Sequence, residues 1–353
     1  MKPASEPLVS VVTPVYNGAR YVAQCIESVL AQTYRNWEYI IVNNCSTDNT
    51  LQIASAYAKR DDRIRVVTNP RFVGVVENHN IAFRLTSRDS VYCKVVSADD
   101  YLFPECVEKL VDAAEREPRV AIVGSYAIND MGVHWIGLPP DRSVFSGQEV
   151  CRLYFLGAIN PVGAPSSLLY RSAIVRSRDP FFPGSLPNAD FAACLICLKN
   201  ADFAFVQQIL SYERIHAEAI SIGIQELDGF LIDRIQFLHE YGSLYLGPEE
   251  ISSREKELLH DLYARLAIGA VHFRGRGFWN YQRDRLRANG YPISRVRLAG
   301  AVCLKLLDLA CNPKQTLEKL LKRRSVERAS AASPQKRRDC LGAPSGAPRG
   351  IVI

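Results

Sequence analysis

Val91-Tyr92-Cys93-Lys94-Val95-Val96-Ser97-Ala98-Asp99-Asp100-Tyr101-Leu102-Phe103-Pro104 is the stretch on which the fold turns. It opens as an apolar, β-branched run, the pattern of a buried strand. It ends in two adjacent carboxylates, followed by a proline where a helix would begin and by Glu105 in the first turn. Asp99 and Asp100 are therefore expected at the carboxyl end of a strand, the rim where open α/β sheets bind ligands. Neighbours on an extended segment point in opposite directions. One carboxylate can then face a divalent cation while the other takes a sugar hydroxyl or a backbone group. A hard cation held by one or two carboxylates completes its shell with substrate phosphates and water. A pair of aspartates that only caps the helix at Pro104 is the competing reading.

Working outward, the same alternation recurs. Val9-Ser10-Val11-Val12-Thr13 reads as a first strand ended by Pro14, and residues 19–32 place Val22, Cys25, Ile26, Val29 and Leu30 on one helix face. Residues 37–42 form a second strand that stops at Asn43-Asn44-Cys45-Ser46-Thr47-Asp48, a cluster of helix N-cap residues, with a helix following to about Arg60. A third strand at 64–67, a helix at 75–85, the Asp99–Asp100 strand, a helix from Pro104 to Arg116 and a fifth strand at 121–123 complete the series. Strands alternating with amphipathic helices predict a mostly parallel, Rossmann-like sheet with helices on both faces. The first turn, Pro14-Val15-Tyr16-Asn17-Gly18, lacks the G-x-G-x-x-G of dinucleotide binding, and no P-loop occurs.

From residue 125 glycine, proline and aromatic residues become frequent. Asn160-Pro161-Val162-Gly163-Ala164-Pro165-Ser166-Ser167 reads as a loop before a short strand at 168–170. Asp190 opens a helix, residues 203–206 form another strand, and Tyr212-Glu213-Arg214-Ile215-His216 closes this half. Asp190 would suit a helix cap equally well. Beyond 225 the pattern is helical, with stripes at Leu227, Phe230, Leu231, Leu238 and Tyr241 and at Leu258, Leu259, Leu262, Leu266 and Ala270.

The chain has 353 residues, 48% of them hydrophobic, enough for one large domain and a smaller appendage. No apolar run reaches the length of a membrane span, and no signal-peptide pattern opens the chain. The ten cysteines are scattered, and the lone C-x-x-C at Cys194–Cys197 has no second pair to complete a zinc site. They are expected to be reduced in a cytoplasmic protein. Residues 1–269 carry a net charge of −7 and residues 270–353 a net of +13. Such asymmetry marks a contact surface for an anionic partner. Residues 298–311 suit an amphipathic helix, flanked by Arg274, Arg276, Arg283, Arg285, Arg287, Arg295 and Arg297 on one side and Lys322, Arg323 and Arg324 on the other. Two expectations stand side by side: peripheral binding to an anionic membrane surface, at its inner face, or a helical appendage packed on the catalytic domain or on a second subunit. The last 25 residues or so have a disordered composition.

Val9–Asn17, Ser28-Val29-Leu30-Ala31-Gln32-Thr33-Tyr34, Tyr39–Asp48 and Ser97–Pro104, in that order and spacing, resemble the family 2 glycosyltransferases. The likeness is firm over about residues 8–125, looser over 126–220, and absent beyond 225. It implies a GT-A fold over residues 1–222, with a nucleotide-sugar half at about 8–125 and an acceptor half at about 126–222. A helical extension at 223–328 and a disordered tail at 329–353 would follow. It implies that Pro14 and Tyr16 lie along the base, with Tyr16 stacking on it. Asn44 stands where the family usually has a base-reading Asp, and Asn43 also replaces an Asp; an amide both donates and accepts, so it can still pair with a uracil or thymine edge. Asp99 would take the ribose and Asp100 the Mn2+ or Mg2+ ion. Arg214 and His216 would sit by the diphosphate, His216 as a metal ligand. Asp190 falls at the place of the catalytic base, and the 160–167 loop on the acceptor side.

The implied reaction is inverting transfer of a sugar from a nucleotide-diphosphate donor, a UDP- or dTDP-sugar, to a hydroxyl of a glycan or lipid-linked acceptor in cell-surface polysaccharide synthesis. Nucleic acid is not an expected partner, and the sequence leaves the oligomeric state open. The rival from another class is a degenerate nucleotide-sugar-binding subunit of a glycan-assembly complex, suggested by Asn43 and Asn44 alone. Nucleotidyl transfer is disfavoured because its Gly/Arg-rich first loop is missing.

Overall fold

The computed structural model describes residues 6–160, 162–184, 188–216 and 220–311. They fall into two compact units. The first takes the chain to Glu226 and adds Asp233–Glu255; the second takes Leu227–Ile232 and the chain from Lys256 onward.

The first unit begins β1 (Val9–Val15), α1 (Val22–Leu30), β2 (Trp37–Asn43), α2 (Thr50–Ala58), β3 (Ile64–Thr68), α3 (Val75–Arg84), β4 (Tyr92–Val95), β5 (Tyr101–Leu102) and α4 (Cys106–Glu115). It continues β6 (Val120–Asn129), β7 (Gly132–His134), β8 (Val144–Ser146), α5 (Gly147–Phe155), β9 (Leu168–Arg171), α6 (Ser172–Arg176), α7 (Ala189–Cys197), β10 (Asp202–Tyr212) and α8 (Ile220–Glu226). All ten strands form one sheet, in the order β3-β2-β1-β4-β9-β6-β10-β5, with β7 on β6 and β8 on β10. The nucleotide half, β3-β2-β1-β4, is parallel, as the alternating pattern requires. Beyond it β9 runs antiparallel between β4 and β6, and β6 and β10 are parallel again. β1 is buried along its whole length, and α1 lays Val22, Cys25, Ile26 and Val29 into the core beside it.

Four details of the expected elements change. β1 runs through Pro14 to Val15, still paired with β2. Its ladder to β4 ends at Val12↔Val95, so the proline sits where that side has no partner strand needing its missing N–H. β4 ends at Val95, so Asp99 and Asp100 stand in a turn beyond the strand, closed by Asp100 N–H to Ser97 O at 3.0 Å. The residues after them do not start a helix. Tyr101–Leu102 instead pair antiparallel with Ser211 and Tyr212 of β10, and the helix begins at Cys106. Residues 121–123 and 203–206 prove to be the inner parts of two longer strands, β6 and β10.

In the second unit α10 (Pro248–Val271) buries Leu258, Leu262, Leu266 and Ala267, and α11 (Arg276–Ala288) buries Phe278, Gln282 and Leu286. The helix between the two sets, α9 (Gly229–Tyr241), is divided between the units, as is the start of α10. Gly269 admits Phe278: a Cβ there would stand 2.8 Å from the ring. α12 (Arg295–Cys311) buries none of its residues. No helix among the described residues is long and apolar enough to cross a membrane. The expected tail at 329–353, with Lys322, Arg323 and Arg324, lies outside the described residues.

Candidate active site

The site is assembled at the carboxyl rim by the short β5. Because β5 hangs on the end of β10, the segment after Tyr212 is carried directly over the Asp99–Asp100 turn. Tyr101 and Tyr212, opposite each other in that ladder, stack at 4.8 Å. Arg214 then reaches back. Its backbone N–H donates to Asp100 Oδ1 at 2.9 Å, its Nε to Asp99 O at 2.9 Å, and its Nη2 to Gln24 Oε1 at 2.7 Å. The guanidinium lies over the rings of Tyr21, Tyr212 and Tyr101 at 4.6, 5.6 and 6.0 Å. Two residues on, His216 Nε2 meets Asp99 Oδ2 at 2.9 Å, and its ring packs on Tyr21 at 5.2 Å. Asp99, Asp100, Arg214 and His216 are thus one cluster, drawn from segments 114 or more residues apart.

The two aspartates diverge, as the sequence argument required, but through the turn and not through strand alternation. Asp99 is the open one, its side chain 32% exposed. Asp100 is buried; its Oδ2 accepts from Ser166 Oγ at 2.6 Å. Burial, and then the neighbouring Asp99 charge, push its carboxyl well above the ordinary range. Ser166 is held in turn: its Oγ accepts the Ser97 N–H at 3.0 Å, and its carbonyl accepts from the buried Lys94 ammonium, which also donates to Leu168 O at 3.0 Å. Burial lowers the Lys94 pKa, opposed by the charges of Cys106, Asp100 and Glu213. A lysine inside a β-branched strand is the signal that identifies this device, and the sequence reading passed over it.

As for a cation, Asp99, Asp100 and His216 offer two carboxylates and an imidazole. His216 Nδ1 is buried and has no partner among the described residues. No group of three or more His, Cys, Asp and Glu among those residues is placed to hold a metal ion by itself.

On the nucleotide side Tyr16 is half exposed and packs edge-to-face on Phe72 at 4.8 Å, itself 51% exposed. The pair stands at the mouth of the first turn. Asn17, at φ 50°, takes Thr47 N–H on its Oδ1 and gives its own N–H to Ser46, tying the first turn to the second. Pro14 lies on β1 beneath Tyr16 in sequence. Asn44 is buried and internally engaged: Nδ2 donates to Val73 O at 2.8 Å, and Oδ1 accepts from Val73 N and Asn69 Nδ2, each at 3.0 Å. Asn43 spans Thr68 and the Ser46 N–H. The amides are a scaffold that shapes the 69–74 loop carrying Phe72, a residue the sequence reading missed although it lies beside Gly74.

Asp190 stands apart from the Asp99 cluster, in the first turn of α7 after Asn188. Burial pushes its carboxyl from 3.8 to about 6, with a further rise from Asp233, itself bonded to Asn188. Glu213 connects the two groups. Its carboxyl is pushed to about 7 by burial, and it feels both Lys94 and Asp190. The indole N–H of Trp135 donates to its Oε1 at 2.8 Å.

Known proteins place this arrangement. Residues 10–175 match the model of Glycosyl transferase family 2. The glycosyltransferase GlyG of Streptococcus pneumoniae is 32% identical over 119 residues, 34% of this chain and 39% of GlyG. The chain thus spans about two fifths of that relative's length. Among solved structures, Staphylococcus aureus TarS in complex with UDP-GlcNAc superposes with a TM-score of 0.54 at 18% identity, over 71% of each chain. Mannosyltransferase PcManGT of Pyrobaculum calidifontis, in complex with GDP-Man and Mn2+, gives 0.51 at 17% identity over 87% of this chain and 89% of that one. These likenesses show a shared GT-A-type fold, and the match identifies residues 10–175 as a family 2 glycosyltransferase domain.

Proposed function

We propose that the protein is an inverting, metal-dependent glycosyltransferase that moves a sugar from a UDP- or dTDP-sugar to a hydroxyl of a glycan or lipid-linked acceptor in cell-surface polysaccharide synthesis. The observation that carries the reading is the convergence of Asp99, Asp100, Arg214 and His216 on one rim, with a carboxylate of raised pKa, Asp190, standing apart. The nucleotide complexes of TarS and PcManGT support it.

In this reading Tyr16, braced by Phe72 packed edge-to-face against it, stacks on the base, and Asp99 accepts a ribose hydroxyl. Asn44 acts at the base by fixing the Val73 loop. Arg214, oriented by three tyrosines and Gln24, faces the diphosphate and opposes the charge that accumulates on the leaving group. Asp100 and His216 would hold Mn2+ or Mg2+, which when bound supplies Lewis-acid stabilisation of that leaving group. The acceptor hydroxyl is a poor nucleophile, and Asp190 accepts its proton as it attacks. A carboxyl that titrates near 6 is ionised at neutral pH yet remains a stronger base than an ordinary aspartate. One base and one displacement invert the anomeric carbon.

The protein is also proposed to work at the inner face of a membrane, through the helical extension. α12 is uncovered among the described residues: Val296, Leu304 and Leu307, spaced for one face, are 82%, 65% and 59% exposed, beside Arg295, Arg297 and Lys305.

A thermal-shift screen of UDP-, dTDP- and GDP-sugars with and without manganese tests the donor reading. Stabilisation by one of them that depends on manganese is expected, because a ligand of the folded state raises its melting point. No shift with any donor would refute it.

A further inference from the structure

Glu213 is a partly buried carboxylate that none of the roles above uses. It continues β10 in extended conformation, its N–H donating to Ile128 O at 3.0 Å. Successive side chains on such a segment point to opposite faces. Tyr212 and Arg214 share the face that carries the Asp99 cluster, as their ring contact shows. Glu213 therefore points away from the Arg214 guanidinium, to where Lys94 and Asp190 act on it and its own charge acts on Asp100. One oxygen, Oε1, is fixed by the Trp135 indole N–H at 2.8 Å. The other, Oε2, has no hydrogen-bond partner among the described residues, yet it is not sealed from solvent.

Trp135 is placed with similar care. It holds φ 64°, a left-handed conformation that a bulky residue rarely adopts. Its ring lies against Gly163 of the 162–167 loop: a Cβ on Gly163 would come within 2.9 and 3.0 Å of Trp135 Cδ1 and Cγ. The ring is only partly covered. An aromatic face beside a carboxylate with a free oxygen is the chemistry that recognises a sugar ring. The face takes the C–H side, and the charged oxygen accepts from a hydroxyl more strongly than a neutral one would.

We propose that Trp135 and Glu213 form an acceptor-side subsite, in which Glu213 Oε2 accepts a hydrogen bond from a hydroxyl of the acceptor sugar and Trp135 packs on its ring. The proposal rests on the glycosyl-transfer reading above and names a binding contact for it. Lys94 then serves both halves of the site, fixing Ser166 under Asp100 and opposing the charge of Glu213.

The test uses methyl α- and β-glycosides of glucose, galactose, mannose and N-acetylglucosamine as probes. Saturation-transfer NMR reads their binding to the full chain, with and without UDP and magnesium. Calorimetry reads UDP separately on each protein. At least one glycoside is expected to bind the wild type and to bind about tenfold or more weakly to Glu213→Gln and Trp135→Ala, the loss of a charge-assisted hydrogen bond. Trp135→Phe, which keeps a ring and loses the N–H, should fall between. UDP affinity should stay within twofold in all three. The proposal is overturned if no glycoside binds the wild type, if Glu213→Gln binds it unchanged, or if UDP affinity falls in step with glycoside binding. Failure of the wild type to bind UDP would count against the donor reading instead, and the arm without nucleotide still decides the subsite.

Discussion

Replacing Asp190 by Asn should make the protein a poorer enzyme and a more stable fold, with a stability gain that is absent below about pH 4, grows up to about pH 6 and is constant above it. Asp190 has its carboxyl raised from 3.8 to about 6, first by burial and then by Asp233. Below about pH 4 the carboxyl is protonated in both the folded and unfolded states, so its shift contributes nothing. Between about 4 and 6 the unfolded chain has released this proton and the folded chain has not. The folded state then binds more protons, and stability falls as pH rises. Above 6 the deficit is constant. Each tenfold change in proton affinity is worth ~1.4 kcal/mol, so the full shift amounts to about 3 kcal/mol. The side chain is partly reachable by water, which reduces this to roughly 1–2 kcal/mol. Asn has no charge to lose and can still accept the N–H of Phe191. For a unit of this size the gain corresponds to a Tm about 2–8 °C higher. Turnover should fall ~10²–10⁴-fold, the usual worth of a general base. The assay is thermal unfolding of both proteins at half-unit steps from pH 4 to 8, with turnover measured at pH 7. A Tm difference that is the same at pH 4 and pH 8 would refute the buried-carboxyl argument, and unchanged turnover would refute the base.

Further outcomes are expected elsewhere. Asp100→Ala should abolish manganese-dependent UDP binding in calorimetry. Ser166→Ala, which removes the 2.6 Å bond to Asp100 and the acceptor of the Ser97 N–H, should weaken it about tenfold with the fold retained. Gly163→Ala would place a methyl 2.0 Å from Ser167 Oγ and against Trp135, and should lower stability by about 1–3 kcal/mol, read as a denaturant midpoint. The basic extension should carry the protein onto anionic vesicles at low salt in co-sedimentation, and not onto neutral ones; binding unaffected by deleting residues 293–353 would end the membrane reading.

Most of the nucleotide half was legible because its signals are local. β1 and β2 are buried parallel strands, so they appear as near-continuous apolar runs, each punctuated by a turn cluster at the carboxyl rim, and β3 pairs parallel with β2 at the sheet edge. Asp99, Asp100, Arg214 and His216 were each visible as residues in motifs. Their convergence was not, because it depends on β5, two residues long, pairing with β10 across more than a hundred residues. The turn that separates Asp99 from Asp100 was hidden for the same reason: the apolar run gives no sign of where pairing with β1 stops. Asn43 and Asn44 looked like substituted ligands. Their hydrogen bonds show amides that fasten one loop to another, a role invisible without the partner loop at 69–73. Lys94 was overlooked because a charged residue in an apolar run resembles a surface position until burial is known, and Glu213 because its tie to Trp135 joins segments 78 residues apart.

The central claim is that this site transfers a sugar from a nucleotide-sugar. Release of free nucleoside diphosphate from UDP-, dTDP- and GDP-sugars, followed with manganese in the wild type and in Asp190→Asn, tests it most directly. The account predicts manganese-dependent release from at least one donor by the wild type, and ~10²–10⁴-fold less from the variant. No release from any donor, in the presence of the glycoside probes as well as without them, would contradict it.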